Sequence, residues 1–98
     1  MQTGLETYRF WRDIAALPFV DAVWLYGSRA HGNFRPRADI DLAVEAPRAD
    51  ARDWDRVLEI VENADTLLEI DCVRLDTVDP DFRVRLMRDA IALDGRAA

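Results

Sequence analysis

Apolar positions along the chain recur with two different periods, and the switches between them mark the elements. Leu5, Tyr8, Trp11, Ile14 and Ala15 fall on one helical face. Thr3 and Glu6 have the spacing of a capping box. This pattern predicts a first helix from about Thr3 to Leu17, stopped by Pro18. Val20 to Tyr26 is nearly continuous apolar and aromatic, which predicts a buried strand ended by Gly27. Ser28 is placed to cap a short helical turn through Ala30 and His31, with Gly32 closing it. Residues 33–38 read as a loop with Pro36 and two arginines. From Asp39 to Glu45 the period drops to two: Ile40, Leu42 and Val44 point to the core, and Asp39, Asp41 and Ala43 point the other way. Pro47 ends that strand.

The next helix is expected over about Asp50 to Ala64, with Trp54, Val57, Leu58 and Val61 on its inner face. A third strand covers roughly Leu67 to Leu75. Asp79-Pro80 has the cap-then-proline form of a helix start. Phe82, Leu86 and Ala90 form the stripe of this last helix, while Ile91 to Leu93 reads alternatively as a short edge strand before Gly95. The alternation of helices and strands predicts an α/β (α+β) fold: a small mixed sheet with helices packed on it, as one domain over residues 1–98.

Composition narrows the partners. The chain has 98 residues, half of them apolar, enough for one modest core. Its net charge is −6, and all 13 basic residues are arginine. An acidic chain lacks the clustered positive charge that direct nucleic-acid binding needs. It remains compatible with ATP, whose charge is carried in by magnesium. Cys72 is the only cysteine, so no internal disulfide and no zinc spacing exists, and its apolar neighbours predict a small core residue. Trp11, Trp24 and Trp54 read as core aromatics. No signal pattern or apolar run of membrane length is present, and a cytoplasmic address is expected.

The chemistry lies in Gly27-Ser28-Arg29-Ala30-His31-Gly32 followed by Asp39-Ile40-Asp41. On a strand, Asp39 and Asp41 share a face. Two carboxylates side by side repel each other unless a cation screens them, so the pair points to a divalent metal. A helical turn after a glycine offers backbone N–H groups to an anion, so Ser28 and its neighbours are candidates for holding the β- and γ-phosphates. A third carboxylate is available in the later strand. Glu69 and Asp71 fall on one face, and parity alone does not choose between them.

Gly27-Ser28-Arg29-Ala30-His31-Gly32 with Ala38-Asp39-Ile40-Asp41-Leu42 resembles the signature of the DNA polymerase β-like nucleotidyltransferase superfamily. The resemblance extends over nearly the whole chain, whose length is that of the minimal nucleotidyltransferases. The family's third aspartate has an apolar-Asp-apolar setting, which Ile70-Asp71-Cys72-Val73 matches, so the resemblance favours Asp71 over Glu69. It implies that Asp39, Asp41 and Asp71 bind metal, two Mg²⁺ ions in all, and that Asp71 helps deprotonate an attacking hydroxyl. The α-phosphate of ATP is then transferred and pyrophosphate released.

Gly27, Ser28 and Arg29 are the expected nucleotide contacts, with Arg29 alternatively pairing with a site carboxylate and positioning it. Arg35 and Arg37 join them as phosphate contacts on the strength of their place between the motifs. His31 reads as a turn residue or a contact near the phosphates rather than a base, and Glu45 as a solvated charge. Two departures stand out. Ala38 occupies a position commonly serine in the family, which removes a hydroxyl but no metal ligand. No substrate-recognition segment follows the motifs, so the acceptor surface is expected from a partner or a second copy. Minimal members resembling this chain pair with a helical HEPN toxin and act as its antitoxin by transferring AMP to a tyrosine. The competing expectations are a binding module that neutralises its partner by occlusion alone, and a transferase for a small hydroxylated molecule.

Overall fold

A computed structural model describes Leu5, residues 7–32 and residues 34–93. Its elements in chain order are α1 (Phe10–Ala15), β1 (Ala22–Tyr26), α2 (Ser28–His31), β2 (Ile40–Glu45), α3 (Ala51–Glu62), β3 (Ile70–Arg74), a 3₁₀ turn (Leu75–Thr77), α4 (Pro80–Met87) and β4 (Ile91–Ala92). The four strands form one sheet in the order β3-β2-β1-β4. β1 runs antiparallel to β2 and β4, and β2 runs parallel to β3. The expected mixed sheet with packed helices is therefore present.

The period-two pattern divides the sheet into two faces. Val23, Leu25, Ile40, Leu42 and Val44 are fully buried on one face, in a cluster with Phe10, Ile14 and Val57 from α1 and α3. The other face carries Ala43, with Trp24, Tyr26 and Val73 around it, and is covered by Leu75 and by Phe82, Leu86 and Met87 of α4. Burying both faces explains why β2 is apolar at Ala43 as well as at its inward positions. The end of β2 is tied to β3 by Arg74, which donates to the carbonyls of Ala46 and Ala49 at 2.9 and 2.7 Å and to Asp76 at 2.9 Å. Asp76 in turn accepts the Ala46 N–H at 3.1 Å.

Several expected boundaries move. α1 is six residues rather than the fifteen expected from Thr3 to Leu17. Leu5 is buried ahead of it, and its carbonyl accepts from the Tyr8 N–H and the Trp11 indole, at 3.1 and 2.9 Å, which holds the entering chain as a turn. Thr3 and Glu6 lie outside the described residues. Leu58 and Leu67 are exposed, at 43% and 104%. The inner face of α3 uses Ile60 instead of Leu58. β3 starts at Ile70, because Leu67 lies in the preceding loop.

α3 opens on a reciprocal cap: the Asp53 N–H donates to Asp50 at 2.7 Å, and the Asp50 N–H to Asp53 at 3.1 Å. At the chain's end Ala90 falls beyond α4, and Ile91–Ala92 takes the edge-strand alternative, pairing with Leu25 and Trp24.

This division of burial gives a direct test by urea unfolding. Leu42→Ala, in the central strand, is expected to destabilise by about 2–5 kcal/mol. Leu67→Ala is expected to stay within about 0.5 kcal/mol of the parent.

Candidate active site

The site lies where β1 ends and β2 and β3 begin. Strand register sets Tyr26, Asp41 and Asp71 side by side in one row, on the face that α4 covers further along the sheet. Asp39 precedes β2 with the same parity, and the adjoining Ile40 N–H is fixed to the Glu69 carbonyl at 2.8 Å. Asp71 is thus directly opposite Asp41, whereas Glu69 lies beyond that row. Asp39 and Asp71 are exposed, and Asp41 and Tyr26 are half-buried.

Asp41, Tyr26 and the neighbouring Cys72 register burial and the charge around them. Burial, then Asp71 and Asp39, raise the Asp41 carboxyl above its ordinary value. The Tyr26 phenol is pushed up to about 12 by burial, Asp71, Asp41 and Cys72, in that order. The Cys72 thiol rises to about 12 through burial and then Asp71, as a thiol held neutral among apolar neighbours should. Like charge concentrated at a sheet end is unfavourable in isolation, and a bound cation relieves it.

Oxygen-only donors from aspartates fit a hard divalent ion such as Mg²⁺. Among the described residues, no three acidic, histidine or cysteine side chains are gathered closely enough to form a ready-made metal centre. Asp39, Asp41 and Asp71 thus match such an ion in donor chemistry and share one face, but their side chains would have to move together to enclose it.

The turn after β1 presses against this row. Gly27 has φ 76° and ψ −155°, a conformation that side-chain-bearing residues avoid. A Cβ placed there would run into the Asp41 carboxylate, with the Asp41 Cγ at 3.2 Å and Cβ at 3.4 Å. Gly27 is thus required both by its backbone and by the close approach of Asp41. It also serves as the helix cap: the N–H groups of Ala30 and His31 donate to its carbonyl at 3.1 and 3.3 Å. Ser28, expected to cap, instead occupies the first helical position, and no side-chain cap bond forms. At four residues, α2 contributes local N–H groups rather than a substantial macrodipole.

Ser28 is exposed and borders a cavity of about 380 Å³ that is also lined by Phe34, Arg35, Arg37 and Ala38. The structure thus brings Ser28, Arg35 and Arg37 together at one opening. Arg29 departs from the expected phosphate contact. It is 2% exposed, and its guanidinium donates to the carbonyls of Ala38 and Pro36. His31 is turned toward Asp89, at 3.5 Å. Glu45 lies 3.9 Å from Arg83.

Two residues near the site were not singled out from the sequence. Tyr26 looked like one more strand residue, although its parity relative to Asp41 carried the signal. Phe34 is a loop aromatic with no periodic context.

The polymerase beta nucleotidyltransferase family model matches residues 14–96. Among solved structures, the chain resembles a mutant of the toxin–antitoxin MntA–HpeT, with 16% identity and a TM-score of 0.61, over 94% of this chain and 71% of that one. It also resembles a protein of Sulfolobus solfataricus described as a nucleotidyltransferase, with 18% identity and a TM-score of 0.53, over 86% of this chain and 76% of that one. No curated protein sequence matches it significantly.

Two substitutions probe the geometry. Gly27→Ala is expected to destabilise by about 1–3 kcal/mol through backbone strain alone, and also to weaken Mn²⁺ binding followed by electron paramagnetic resonance. Asp41→Asn has the opposite sign for stability. An acid whose folded-state value is raised is stabilising when protonated, and loses that contribution as pH rises through its unfolded value. Removing the charge should therefore raise stability at pH 7, by at most about 1 kcal/mol. Thermal unfolding at pH 7 and again near pH 3 checks this, because the gain should vanish at the lower pH.

Proposed function

This chain belongs to the polymerase beta nucleotidyltransferase family, and on that premise we propose that it transfers AMP from ATP to a hydroxyl of a toxin partner, acting as the antitoxin. The observation that carries this reading is the close approach of the Gly27 turn to Asp41, with the next residue, exposed Ser28, lining a cavity together with Arg35 and Arg37. The groups proposed to receive phosphate and those proposed to hold metal then come from neighbouring elements, an arrangement suited to nucleotidyl transfer. The resemblance to a toxin–antitoxin structure favours a toxin as the acceptor, and the family expectation is a tyrosine of a HEPN-domain protein.

In this reading Asp39, Asp41 and Asp71 hold two Mg²⁺ ions, which when bound supply charge neutralisation to the triphosphate and the leaving pyrophosphate. Gly27, Ser28, Arg35 and Arg37 receive the phosphates. Asp71, exposed at the edge strand, accepts the proton of the incoming hydroxyl. The hydroxyl oxygen forms a bond to the α-phosphorus, the bond from that phosphorus to the bridging oxygen of pyrophosphate breaks, and pyrophosphate leaves with the electron pair. Among the described residues no helix is long and apolar enough to cross a membrane. Action in the cytoplasm, where ATP and magnesium are available, is part of the proposal.

The test is the intact mass of the co-purified toxin after incubation with ATP and Mg²⁺. AMP-sized increments are expected, and Asp39→Asn or Asp41→Asn should abolish them. An unmodified toxin, in an assay validated with an active homologue, overturns the enzymatic reading. Full neutralisation by both variants at native expression levels favours occlusion without catalysis. Increments on a small hydroxylated acceptor alone would point instead to a small-molecule transferase.

A further inference from the structure

We propose that Arg29 is a positioning residue that latches the loop of residues 34–38 and thereby fixes Asp39 and Asp41 against the Gly27–Ser28 turn. Its meaning for transfer rests on the function proposed above, but the latch itself does not. Arg29 is the buried charged residue of the described chain, at 2% exposed. A buried guanidinium is strongly unfavourable unless its N–H groups find acceptors. Here backbone carbonyls of one short loop are among the acceptors. Nε and Nη2 both reach the Ala38 carbonyl, at 3.2 and 2.9 Å, and Nη2 also reaches the Pro36 carbonyl at 3.3 Å. The guanidinium lies over the Phe34 ring, 4.5 Å from its centroid, so the start of the loop is held as well.

The loop has its own turn, closed by the Ala38 N–H on the Arg35 carbonyl at 2.9 Å, with Pro36 at the position that favours its fixed φ. Arg29 grips this turn at Pro36 and Ala38 and touches Phe34 just ahead of it. Asp39 is consequently fixed from both sides although it lies outside β2. The carbonyl before it is held by Arg29, and the N–H after it bonds the Glu69 carbonyl at 2.8 Å. The same side chain springs from α2, one residue after Ser28. One residue therefore joins the phosphate-side turn to the first two carboxylates, and holds Arg35 and Arg37 at the cavity mouth. Lysine cannot substitute, because it lacks the planar fork that places two donors on one carbonyl.

The experiment compares the full chain with Arg29→Lys and Phe34→Ala by three readouts: amide hydrogen exchange over residues 34–40, Mn²⁺ affinity by electron paramagnetic resonance, and transfer kinetics on the toxin. Arg29→Lys should speed exchange at Ala38 and its neighbours by about tenfold or more, the factor that loss of a charge-assisted hydrogen bond gives. It should weaken Mn²⁺ binding by about tenfold, as loss of a supporting residue around a metal site does. The transfer rate should fall, with partial recovery at high Mg²⁺ and little change in the KM for ATP. Phe34→Ala should move the same quantities in the same direction by less.

A folded Arg29→Lys with exchange and Mn²⁺ affinity within twofold of the parent overturns the latch. If Arg29→Lys does not fold, Phe34→Ala decides, and unchanged exchange and affinity there overturn it equally. Absence of transfer by the parent protein would instead sink the functional reading, while exchange and Mn²⁺ binding continue to judge the latch.

Discussion

Repulsion among carboxylates at one end of a small sheet is the constraint on which the rest of the structure turns. Asp41 and Asp71 stand opposite each other on parallel strands, with Asp39 just ahead. Burial, then Asp71 and Asp39, raise the Asp41 carboxyl, and burial, then Asp71 and Asp41, raise the Tyr26 phenol. A domain of this size has little stability to set against such a cluster. It compensates by burying both faces of its central strands and by locking loops with arginines that bond backbone carbonyls. Arg74 does this beyond the far end of β2, and Arg29 does it at the acidic end. The arginine-only basic content is suited to this use, since a planar fork can bracket a carbonyl or join two of them.

Most of the architecture was legible in the sequence because the two periods are clean. The alternation from Ile40 to Val44 identified the inward residues of β2, and Asp79-Pro80 marked the start of α4. The departures from this pattern have specific physical causes. Leu58 lies next to the true stripe of α3 but turns to solvent. Leu67 belongs to a loop, where apolar character has no periodic meaning. Leu5 and Tyr8 fit helical spacing yet lie outside the first helix, because the Leu5 carbonyl closes a turn on Tyr8 and Trp11.

The candidate site was legible as a list of residues more than as a set of roles. Parity placed Asp39, Asp41, Glu69 and Asp71 on their faces, and strand register, which no single strand carries, then set Asp71 opposite Asp41. The direction of Arg29 was beyond reach, because an arginine beside a phosphate-binding turn and an arginine under a loop look identical in sequence. The capping role that the sequence suggests for Ser28 falls to the backbone of Gly27. For Asp71 and Arg29 a neighbour in space decided the role, and for Ser28 the backbone of the adjoining Gly27 did.

The approach of Asp41 to Gly27 has one more consequence. Positions 27 and 41 share a single small volume, so bulk added at one must be surrendered at the other. Over evolutionary time they should travel as a pair. A lineage that abandoned the acid at 41 would be released to accept alanine or serine at 27 only if the backbone there relaxed too, which makes loss of the glycine a late and dependent step in the decay of such a site.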